Sequence, residues 1–360
     1  MAKVLIVDDS ALMRRQLSRI LTEAGFEVVT ARNGAEGLRL AVEAAPDVIT
    51  LDVNMPEMDG LTMLSRLMVE CPKPVVMVSS LTEQGALATF EALELGAVDY
   101  VHKPDGTVSH RIDDVQREIV GKVTAASGAR IRRSRGLHSR LQAERSRSTP
   151  PPPPRLEPIP SGELPCVVLI GVSTGGPGTL EEILCGLTAD FPAPIVVAQH
   201  MPANFTGVFA RRLDDACALT VQEVRVPTPL RPGNVYVGRG DADVLLSKRG
   251  SEVVAAAVPS TVGLWHPSVD RMVESAMKVV PPAQLIGVEL TGMGNDGAEQ
   301  MTRLRQAGGR TIAESEETAV VFGMPQELIK RGGAEIVLPS HAVARHLTDW
   351  AAAARRRQRR

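Results

Sequence analysis

Short, almost wholly apolar runs alternate with amphipathic stretches along the N-terminal part of the chain. These runs are rich in β-branched residues and occupy positions 4–7, 28–30, 48–51, 75–78 and 98–101. Strands that are apolar throughout are buried on both faces, which is typical of parallel sheets covered by helices. The alternation therefore predicts an α/β domain with a parallel, doubly wound sheet.

This pattern stops between positions 125 and 162, where serine, arginine and proline replace the apolar periodicity. Residues 130–155 carry eight arginines, and residues 150–154 are all proline. A proline run favours the extended polyproline II conformation, which acts as a semi-rigid spacer. We therefore predict a linker at residues 121–162.

The alternation of strands and helices resumes beyond the linker. Strand candidates there lie at positions 166–170, 195–199, 235–237, 285–290 and 335–338. The chain is therefore predicted to hold two α/β domains, at residues 1–120 and 163–345, followed by a basic tail at residues 346–360. The arginines of this tail are expected to extend into solvent.

Charge and hydropathy exclude several classes of protein. Lys and Arg total 40 against 42 for Asp and Glu, so the chain lacks the positive field of a nucleic-acid-binding protein. No apolar run approaches the roughly 20 residues that span a bilayer, and acidic residues follow the first run too soon for a secretion signal. We therefore expect a cytoplasmic protein without membrane insertion.

The cysteines lie far apart, which predicts reduced thiols in the core; they are Cys71, Cys166, Cys185 and Cys217.

Acidic residues follow two of the predicted strands in the first domain. Asp8 and Asp9 come directly after the first strand, and Asp52 ends the third. Because the carboxyl ends of parallel strands meet at one edge, these carboxylates would repel one another without a hard cation such as Mg²⁺. Ser79 and Lys103 end the fourth and fifth strands and can hold phosphate oxygens. Asp52 is then a candidate nucleophile that forms an acyl phosphate.

These residues recur together in an order that points to a known family. The D-x-x-M-P-x-M-D-G loop at residues 52–60 and the Lys-Pro pair at residues 103–104 accompany the Asp-Asp pair. Residues 3–120 therefore resemble the receiver domain of two-component response regulators. The resemblance implies a flavodoxin-like fold, a histidine kinase as phosphodonor and Mg²⁺ as the cofactor of phosphorylation.

The resemblance also implies roles for single residues. Asp52 is the expected phosphorylation site, Ser79 is expected to sense the phosphoryl group and Lys103 to bridge to it. Tyr100 matches the switch aromatic of the family, although a buried core tyrosine is an equally good interpretation. The expected Mg²⁺ ligands are Asp8, Asp9, Asp52 and the main-chain carbonyl of Asn54.

The sequence G-V-S-T-G-G-P-G at residues 171–178 joins the first strand of the second domain to a helix. A strand, a tight turn and a helix can present the Ser173 hydroxyl beside N–H groups that stabilise an oxyanion. The loop has neither the Gly-Lys-Ser/Thr of a P-loop nor a G-x-G-x-x-G pattern, which argues against a nucleotide site. Ser173 is therefore a candidate nucleophile.

His200 and Asp296 supply the partners that such a nucleophile needs. His200 comes directly after the strand candidate at 195–199, and Asp296 follows the one at 285–290. Both are expected at the same sheet edge as Ser173, which gives a nucleophile, a base and an orienting carboxylate. An α/β-hydrolase is the alternative, but its triad runs in the order Ser, Asp, His and would require His266 or His341.

Five motifs make residues 163–345 resemble the catalytic domain of the chemotaxis protein-glutamate methylesterase (CheB) family. They are G-V-S-T-G-G at 171–176, Q-H-M-P at 199–202, H-P-S-V-D at 266–270, T-G-M-G-N-D-G at 291–297 and V-F-G-M-P at 321–325. The resemblance implies Ser173 as nucleophile, His200 as base and Asp296 as the partner of that base. It also places Thr174 and Met293 around the oxyanion and substrate pocket.

The two resemblances together imply an enzyme that hydrolyses glutamyl methyl esters on methyl-accepting chemotaxis receptors and is controlled by phosphorylation of Asp52. The same attack on a primary amide would deamidate glutamine. A response regulator with a DNA-binding second domain is an alternative of another class, but residues 163–345 offer no basic recognition helix. A catalytically inactive adaptor would lack a triad residue, and the sequence retains all three.

Overall fold

The computed structural model describes residues 1–79, 82–103, 109–129, 164–259 and 265–358. The chain divides into two compact units, Met1–Thr149 and Pro150–Arg360, each with its own parallel sheet. Most of the predicted linker at 121–162, including the proline run at 150–154, lies outside the described residues. Within the described ranges, no helix is both long and apolar enough to cross a membrane.

Strands and helices alternate through the first unit. The strands are β1 (Lys3–Val7), β2 (Glu27–Ala31), β3 (Val48–Asp52), β4 (Val75–Ser79) and β5 (Asp99–His102). The helices are α1 (Ala11–Glu23), α2 (Gly34–Glu43), α3 (Gly60–Glu70), α4 (Glu83–Leu95) and α5 (Ser109–Ser127). The strands are parallel in the order β2-β1-β3-β4-β5, which confirms the predicted flavodoxin-like fold.

Polar side chains at the strand-to-helix turns explain where four of these helices begin. Each accepts a hydrogen bond from a backbone N–H in the first turn of its helix; they are Ser10, Asn33, Asp59 and Thr82. Such caps satisfy N–H groups that have no partner within the helix. The loops that follow the strands are therefore fixed at both ends, which gives the strand-end side chains defined positions.

Helix α5 extends past the domain boundary predicted at residue 120. Ile119, Val123 and Ala126 are fully buried, and their spacing places them on one helical face. This apolar face packs on the unit as far as the last turn of the helix. The first residues of the predicted linker are therefore helical and belong to the first unit.

The second unit has ten strands and six α-helices in its described part. The strands are β6 (Val167–Val172), β7 (Ile195–Gln199), β8 (Thr220–Val224), β9 (Thr228–Pro229), β10 (Asn234–Gly238), β11 (Ala242–Arg249), β12 (Glu252–Pro259), β13 (Leu285–Glu289), β14 (Arg310–Glu314) and β15 (Ile336–Leu338). The helices are α6 (Gly176–Cys185), α7 (Ala203–Ala216), α8 (Val269–Val279), α9 (Ala298–Gln306), α10 (Met324–Lys330) and α11 (Ser340–Gln358).

Seven of these strands form a parallel sheet in the order β15-β14-β13-β6-β7-β10-β8, which confirms the predicted α/β fold. A small antiparallel sheet of β11, β12 and β9 was not predicted. The turn between β11 and β12 contains Gly250 at φ 61°. The sequence did not predict β12, because its three consecutive alanines, residues 255–257, interrupt the alternation of apolar and polar residues that is typical of a strand.

The order of strands in the large sheet defines where a site can form. Strand β6 lies between β7 and β13, so the chain leaves β6 on one side and later returns on the other. In open α/β sheets, ligands bind beyond the carboxyl ends of the strands at such a switch point. Ser173 follows β6, His200 follows β7 and Asp296 follows β13. The topology therefore gathers the three predicted catalytic residues at one edge.

The structure corrects the basic tail predicted at residues 346–360. Residues 346–358 form most of α11, on which Leu347, Trp350 and Ala351 are buried. The Arg310 guanidinium lies 3.5 Å from the centre of the Trp350 ring, and this cation–π contact holds the helix against β14. Arg359 and Arg360 lie outside the described residues. The cluster of arginines hid an apolar helical face.

Candidate functional site

Three predicted acidic residues of the first unit meet at the carboxyl edge of its sheet. Strands β1 and β3 are parallel neighbours, and ligand oxygens of Asp8, Asp9 and Asp52 lie within 4.8 Å of one another. Asp8 and Asp52 are buried, whereas Asp9 is exposed. The structure therefore forms the acidic cluster that the strand ends predicted.

Lys103 neutralises part of this acidic cluster. Its Nζ lies 2.7 Å from Asp52 Oδ2 and 3.6 Å from Asp8 Oδ2. Burial raises the pKa of Asp8 and of Asp52, and the charge of Asp52 raises the pKa of Asp8 further. Burial lowers the pKa of Lys103, but its hydrogen bond to Asp52 and the nearby carboxylate charges outweigh this effect and raise it. Lys103 is therefore charged at neutral pH.

The acidic cluster fits a hard divalent cation. Asp8 Oδ2 is buried and has no hydrogen-bond partner among the described residues. Carboxylate oxygens are the ligands that Mg²⁺ prefers in proteins, and a cation would satisfy this oxygen. Asn54 is exposed just beyond β3, and its N–H donates a hydrogen bond to Asp52. The Asn54 carbonyl remains a predicted fourth ligand.

Gly60 allows α3 to begin against the end of β3. A Cβ at this position would lie 2.0 Å from the Asp52 carbonyl oxygen, far inside contact distance. The Gly60 N–H instead donates to the Val53 carbonyl at 2.9 Å, and the Asp59 side chain caps the helix. The Asp-Gly pair at the end of the D-x-x-M-P-x-M-D-G loop therefore folds that loop closely around Asp52.

Ser79 and Tyr100 both lie in the interior of the first unit. The buried Ser79 Oγ donates to the Gly85 carbonyl at 3.2 Å, which links the end of β4 to α4. Tyr100 is buried with Lys122 Nζ 4.7 Å from its ring centre, and burial raises the pKa of Tyr100 well above its usual value. The structure thus agrees with the core interpretation of Tyr100, while the sensing role of Ser79 remains a prediction.

The loop that carries Ser173 is held by the neighbouring strands on both sides. The Ser173 N–H donates to the carbonyl of Thr291, just beyond β13, at 2.9 Å. The Ser173 carbonyl accepts a hydrogen bond from Gln199 Nε2, at the end of β7, at 3.0 Å. It also accepts one from the Gly176 N–H at 2.8 Å. The main chain of Ser173 is therefore fixed in place before any substrate binds.

The turn after Ser173 requires glycine at position 175. Gly175 has φ 78°, and a Cβ there would lie 2.5 Å from Val320 Cβ. Both the left-handed backbone and the lack of space exclude a larger residue. Helix α6 then begins at Gly176, with Pro177 in its first turn. The G-G-P sequence therefore produces the sharp turn at which Ser173 stands.

His200 and Asp296 form a buried hydrogen-bonded pair at the same edge of the sheet. His200 Nε2 lies 2.9 Å from Asp296 Oδ2. Because Nε2–H donates to this carboxylate, the nitrogen of neutral His200 that can accept a proton is Nδ1. Nδ1 is buried and has no hydrogen-bond partner in the described part of the chain. The pair can therefore act as a base with an orienting carboxylate.

The start of α8 holds the Asp296 carboxylate. Oδ2 accepts the Val269 N–H at 2.7 Å, and Oδ1 accepts the Asp270 N–H and the Ser268 hydroxyl, both at 3.0 Å. Burial raises the pKa of Asp296, but its hydrogen bonds to His200 and to these N–H groups outweigh burial and lower it. Asp296 is therefore ionised at neutral pH and can stabilise a protonated His200.

Two residues that the sequence analysis did not assign also support this pair. The Trp265 ring stacks on His200, with ring centres 5.3 Å apart and planes inclined by 10°. Ser268 donates to Asp296 and caps α8. The H-P-S-V-D motif and the capping preference of serine could have identified Ser268, whereas no spacing pattern connects Trp265 with His200.

The contacts of His266 argue against the α/β-hydrolase alternative. His266 Nδ1 lies 3.1 Å from Asp243 Oδ1, which also accepts the Ser268 N–H at 2.8 Å. Arg271 pairs with the other oxygen of this buried carboxylate. His266 therefore anchors its loop, and His341 is exposed at the start of α11.

Thr174 and Met293 belong to the loops around Ser173. Thr174 is buried, and its carbonyl accepts the Thr291 hydroxyl at 2.8 Å. Met293 is half-buried and follows Gly292, where a Cβ would lie 2.8 Å from Ser173 Cβ. The structure places both residues close to the loop of the candidate nucleophile, and their contact with an oxyanion remains a prediction.

Two known families match this chain. Residues 168–347 match the family described as CheB methylesterase, and residues 4–110 match the response regulator receiver domain. The crystal structure of the CheB methylesterase catalytic domain of Thermotoga maritima is similar with a TM-score of 0.50 and 40% identity, covering 51% of this chain and 97% of that chain.

Similarity to two relatives extends over nearly their whole length. The chain is 58% identical to the protein-glutamate methylesterase/protein-glutamine glutaminase 3 of Rhodospirillum rubrum, covering 97% of this chain and 96% of the relative. It is 48% identical to the protein-glutamate methylesterase/protein-glutamine glutaminase 2 of Carboxydothermus hydrogenoformans, covering 96% of this chain and 98% of the relative. The similarity therefore includes both domains and their order.

Proposed function

This chain belongs to the CheB methylesterase family, and on that premise we propose that it hydrolyses glutamyl methyl esters on chemotaxis receptors under the control of its receiver domain. The observation that carries the proposal is the His200–Asp296 pair at 2.9 Å, at the sheet edge where the fixed Ser173 loop stands. A nucleophile, a base and an orienting carboxylate are the groups that acyl transfer requires.

The first half of the proposed reaction forms an acyl-enzyme. Ser173 Oγ attacks the ester carbonyl while its proton passes to His200 Nδ1. The Asp296 carboxylate stabilises the resulting imidazolium through Nε2–H. His200 then gives the proton to the departing oxygen, so that methanol leaves and the glutamyl group stays bound to Ser173. Thr174 and Met293 are proposed to line the oxyanion and substrate pocket.

The second half releases the receptor side chain. Water takes the position that methanol has left, and His200 Nδ1 accepts a proton from it during attack on the acyl-enzyme. The same proton returns to Ser173 Oγ as the acyl bond breaks. The products are a free glutamate side chain and the unmodified enzyme.

The first unit is proposed to accept a phosphoryl group on Asp52 from a histidine kinase. Asp8, Asp9, Asp52 and the Asn54 carbonyl would hold Mg²⁺, which neutralises charge on the phosphoryl oxygens. Lys103 lies 2.7 Å from the Asp52 carboxylate and can bridge to the same oxygens. The buried Ser79 hydroxyl is proposed to report the phosphoryl group to α4.

The methylesterase and receiver domains support the partners proposed for the two reactions. The receiver implies a histidine kinase, and the methylesterase domain implies a methylated chemoreceptor. We propose that both reactions take place in the cytoplasm. Neither reaction involves nucleic acid or insertion of this chain into a membrane.

The experiment that tests the esterase measures volatile methanol released by the purified full chain from a receptor carrying labelled methyl groups. We expect His200→Ala to lower this rate nearly as far as loss of the nucleophile does, by about 10⁵- to 10⁶-fold, because the triad members act as a unit. His341→Ala, at an exposed histidine, is the matched control and should release methanol at the wild-type rate. Undiminished release by His200→Ala would refute the assignment of the base.

Ser268→Ala tests the support of Asp296. We expect kcat to fall about tenfold, because Asp296 loses one donor while keeping the Val269 and Asp270 N–H groups. Loss of the helix cap should also reduce the free energy of unfolding by about 1 kcal/mol. Ser268→Thr retains the hydroxyl and should restore both quantities. A wild-type kcat in Ser268→Ala would show that the hydroxyl does not position Asp296.

Deamidation of receptor glutamine is a second candidate activity, favoured by the names of both relatives. The same attack of Ser173 on a primary amide would release ammonia instead of methanol. Mass spectrometry of a receptor fragment should show conversion of glutamine to glutamate by the wild-type chain and none by Ser173→Ala. Conversion by Ser173→Ala would assign any deamidation to another group.

A further inference from the structure

Two cysteines from different helices bring their sulfur atoms into contact in the second unit. Cys185 is the last residue of α6, and Cys217 follows α7. Their Sγ atoms lie 3.3 Å apart. The sequence predicted core thiols, and this is wrong for Cys185, which is exposed. Helix packing has joined residues that no sequence spacing connects.

The two thiols differ in their access to solvent. Cys185 is exposed, whereas Cys217 is buried behind it. The hydrogen bond with Cys185 and burial both raise the pKa of Cys217, with the charges of Glu181 and Asp214 acting in the same direction. Cys217 therefore stays protonated while Cys185 carries the thiolate charge, and Cys185 is the sulfur that a small molecule in solution can reach.

A covalent bond between these sulfurs needs only a local movement. A disulfide has an S–S length of about 2.05 Å, so the contact of 3.3 Å must shorten by about 1.2 Å. In a reducing compartment both sulfurs remain thiols, and such pairs form disulfides transiently when an oxidant is present. The pair thus has the access and the proximity of a reversible redox site.

We propose that Cys185 and Cys217 form a reversible disulfide with small-molecule disulfides, of which oxidised glutathione is the probe. The Cys185 thiolate attacks one sulfur of the oxidant and releases one glutathione thiolate. Cys217 gives its proton to that thiolate and attacks the Cys185 sulfur, which releases the second glutathione. Two protein thiols are oxidised, and one molecule of the oxidant is reduced to two thiols.

The cross-link would join the ends of two helices that begin beside the catalytic loops. Helix α6 starts directly after the Ser173 turn, and α7 starts after His200-Met201-Pro202. The closed covalent loop contains β7 and His200, so it restricts the unfolded chain in this part of the domain. We expect oxidation to raise the Tm of this unit, on the order of 5 °C.

To test the proposal, the purified full chain is treated with oxidised glutathione and its remaining thiols are alkylated. Mass spectrometry of the digested protein then identifies any disulfide-linked peptides. Wild type and the matched control Cys71→Ser should both yield a linked peptide pair that contains Cys185 and Cys217. Cys166 should be alkylated only after unfolding, because burial raises its pKa to about 12. Dithiothreitol should reverse both the link and the rise in Tm.

Single variants separate the two roles of the sulfurs. Cys217→Ala should trap Cys185 as a mixed disulfide with glutathione, and Cys185→Ser should leave Cys217 as a thiol with no change in Tm. Cys185 is exposed, so its variant keeps the test informative if Cys217→Ala fails to fold. A stable mixed disulfide at Cys185 in wild type without the linked pair, or alkylation of both thiols, would overturn the proposal. An unchanged Tm in the linked protein would refute its stabilising role.

Discussion

Ser173→Ala is expected to lower the rate of methyl ester hydrolysis by about 10⁶-fold while the protein stays folded. The substitution removes the only atom proposed to form the acyl bond, and His200 then has no hydroxyl from which to accept a proton. The main-chain hydrogen bonds of Ser173 to Thr291, Gly176 and Gln199 do not depend on its hydroxyl. Alanine keeps the same Cβ, so we expect little change in Tm.

Methanol release and thermal unfolding, measured on the same preparation, check this prediction. Ser247→Ala, at an exposed serine of β11, is the matched control and should retain wild-type activity. Substantial methanol release by folded Ser173→Ala would show that another group is the nucleophile. If the variant is inactive and its Tm is strongly lowered, misfolding could account for the lost activity. Ser173→Cys then tests the nucleophile, because its thiol should form a thioester with the glutamyl group if the side chain at position 173 attacks the ester.

Asp52→Asn is expected to abolish phosphorylation of the first unit. An amide has almost the shape of the carboxylate, but its oxygen is a poor nucleophile toward phosphorus. Burial raises the pKa of Asp52, which means that the folded protein disfavours the charge that the substitution removes. Loss of this charge also removes its repulsion of the Asp8 carboxylate. We therefore expect the variant to fold normally and to incorporate no label.

A labelled small-molecule phosphodonor measures this loss directly. The wild-type chain should take up one phosphoryl group per molecule with Mg²⁺ and none with a chelator present. Asp47→Asn, at an exposed carboxyl outside the acidic cluster, should behave as wild type. Label that persists in Asp52→Asn would move the site to Asp8, Asp9 or Asp59.

The sequence predicted the location of the catalytic groups better than their contacts. Ser173, His200 and Asp296 each follow an apolar run, and the geometry of parallel strands then places them at one edge. Which imidazole nitrogen meets Asp296 depends on side-chain packing, and nothing in the order of residues determines it. The stacking of Trp265 on His200 is likewise a tertiary contact, and no periodic signal in the sequence connects the two residues.

The errors in the fold predicted from the sequence have related physical causes. In α11, the apolar spacing of Leu347, Trp350 and Ala351 was obscured by arginines that gave the segment the composition of a solvated tail. The contact of Cys185 with Cys217 depends on how α6 packs on α7, which is a tertiary property. Local patterns predict elements, whereas contacts between elements follow only from packing.

The central claim is that phosphorylation of Asp52 controls hydrolysis at Ser173. The most direct test is the rate of methanol release from a methylated receptor by the full chain, with Mg²⁺, before and after addition of a small-molecule phosphodonor. We expect the wild-type rate to rise by about 5- to 150-fold, the range typical of allosteric coupling, and Asp52→Asn to stay at the basal rate. An equal rise in Asp52→Asn, or an unchanged rate in phosphorylated wild type, would contradict the claim.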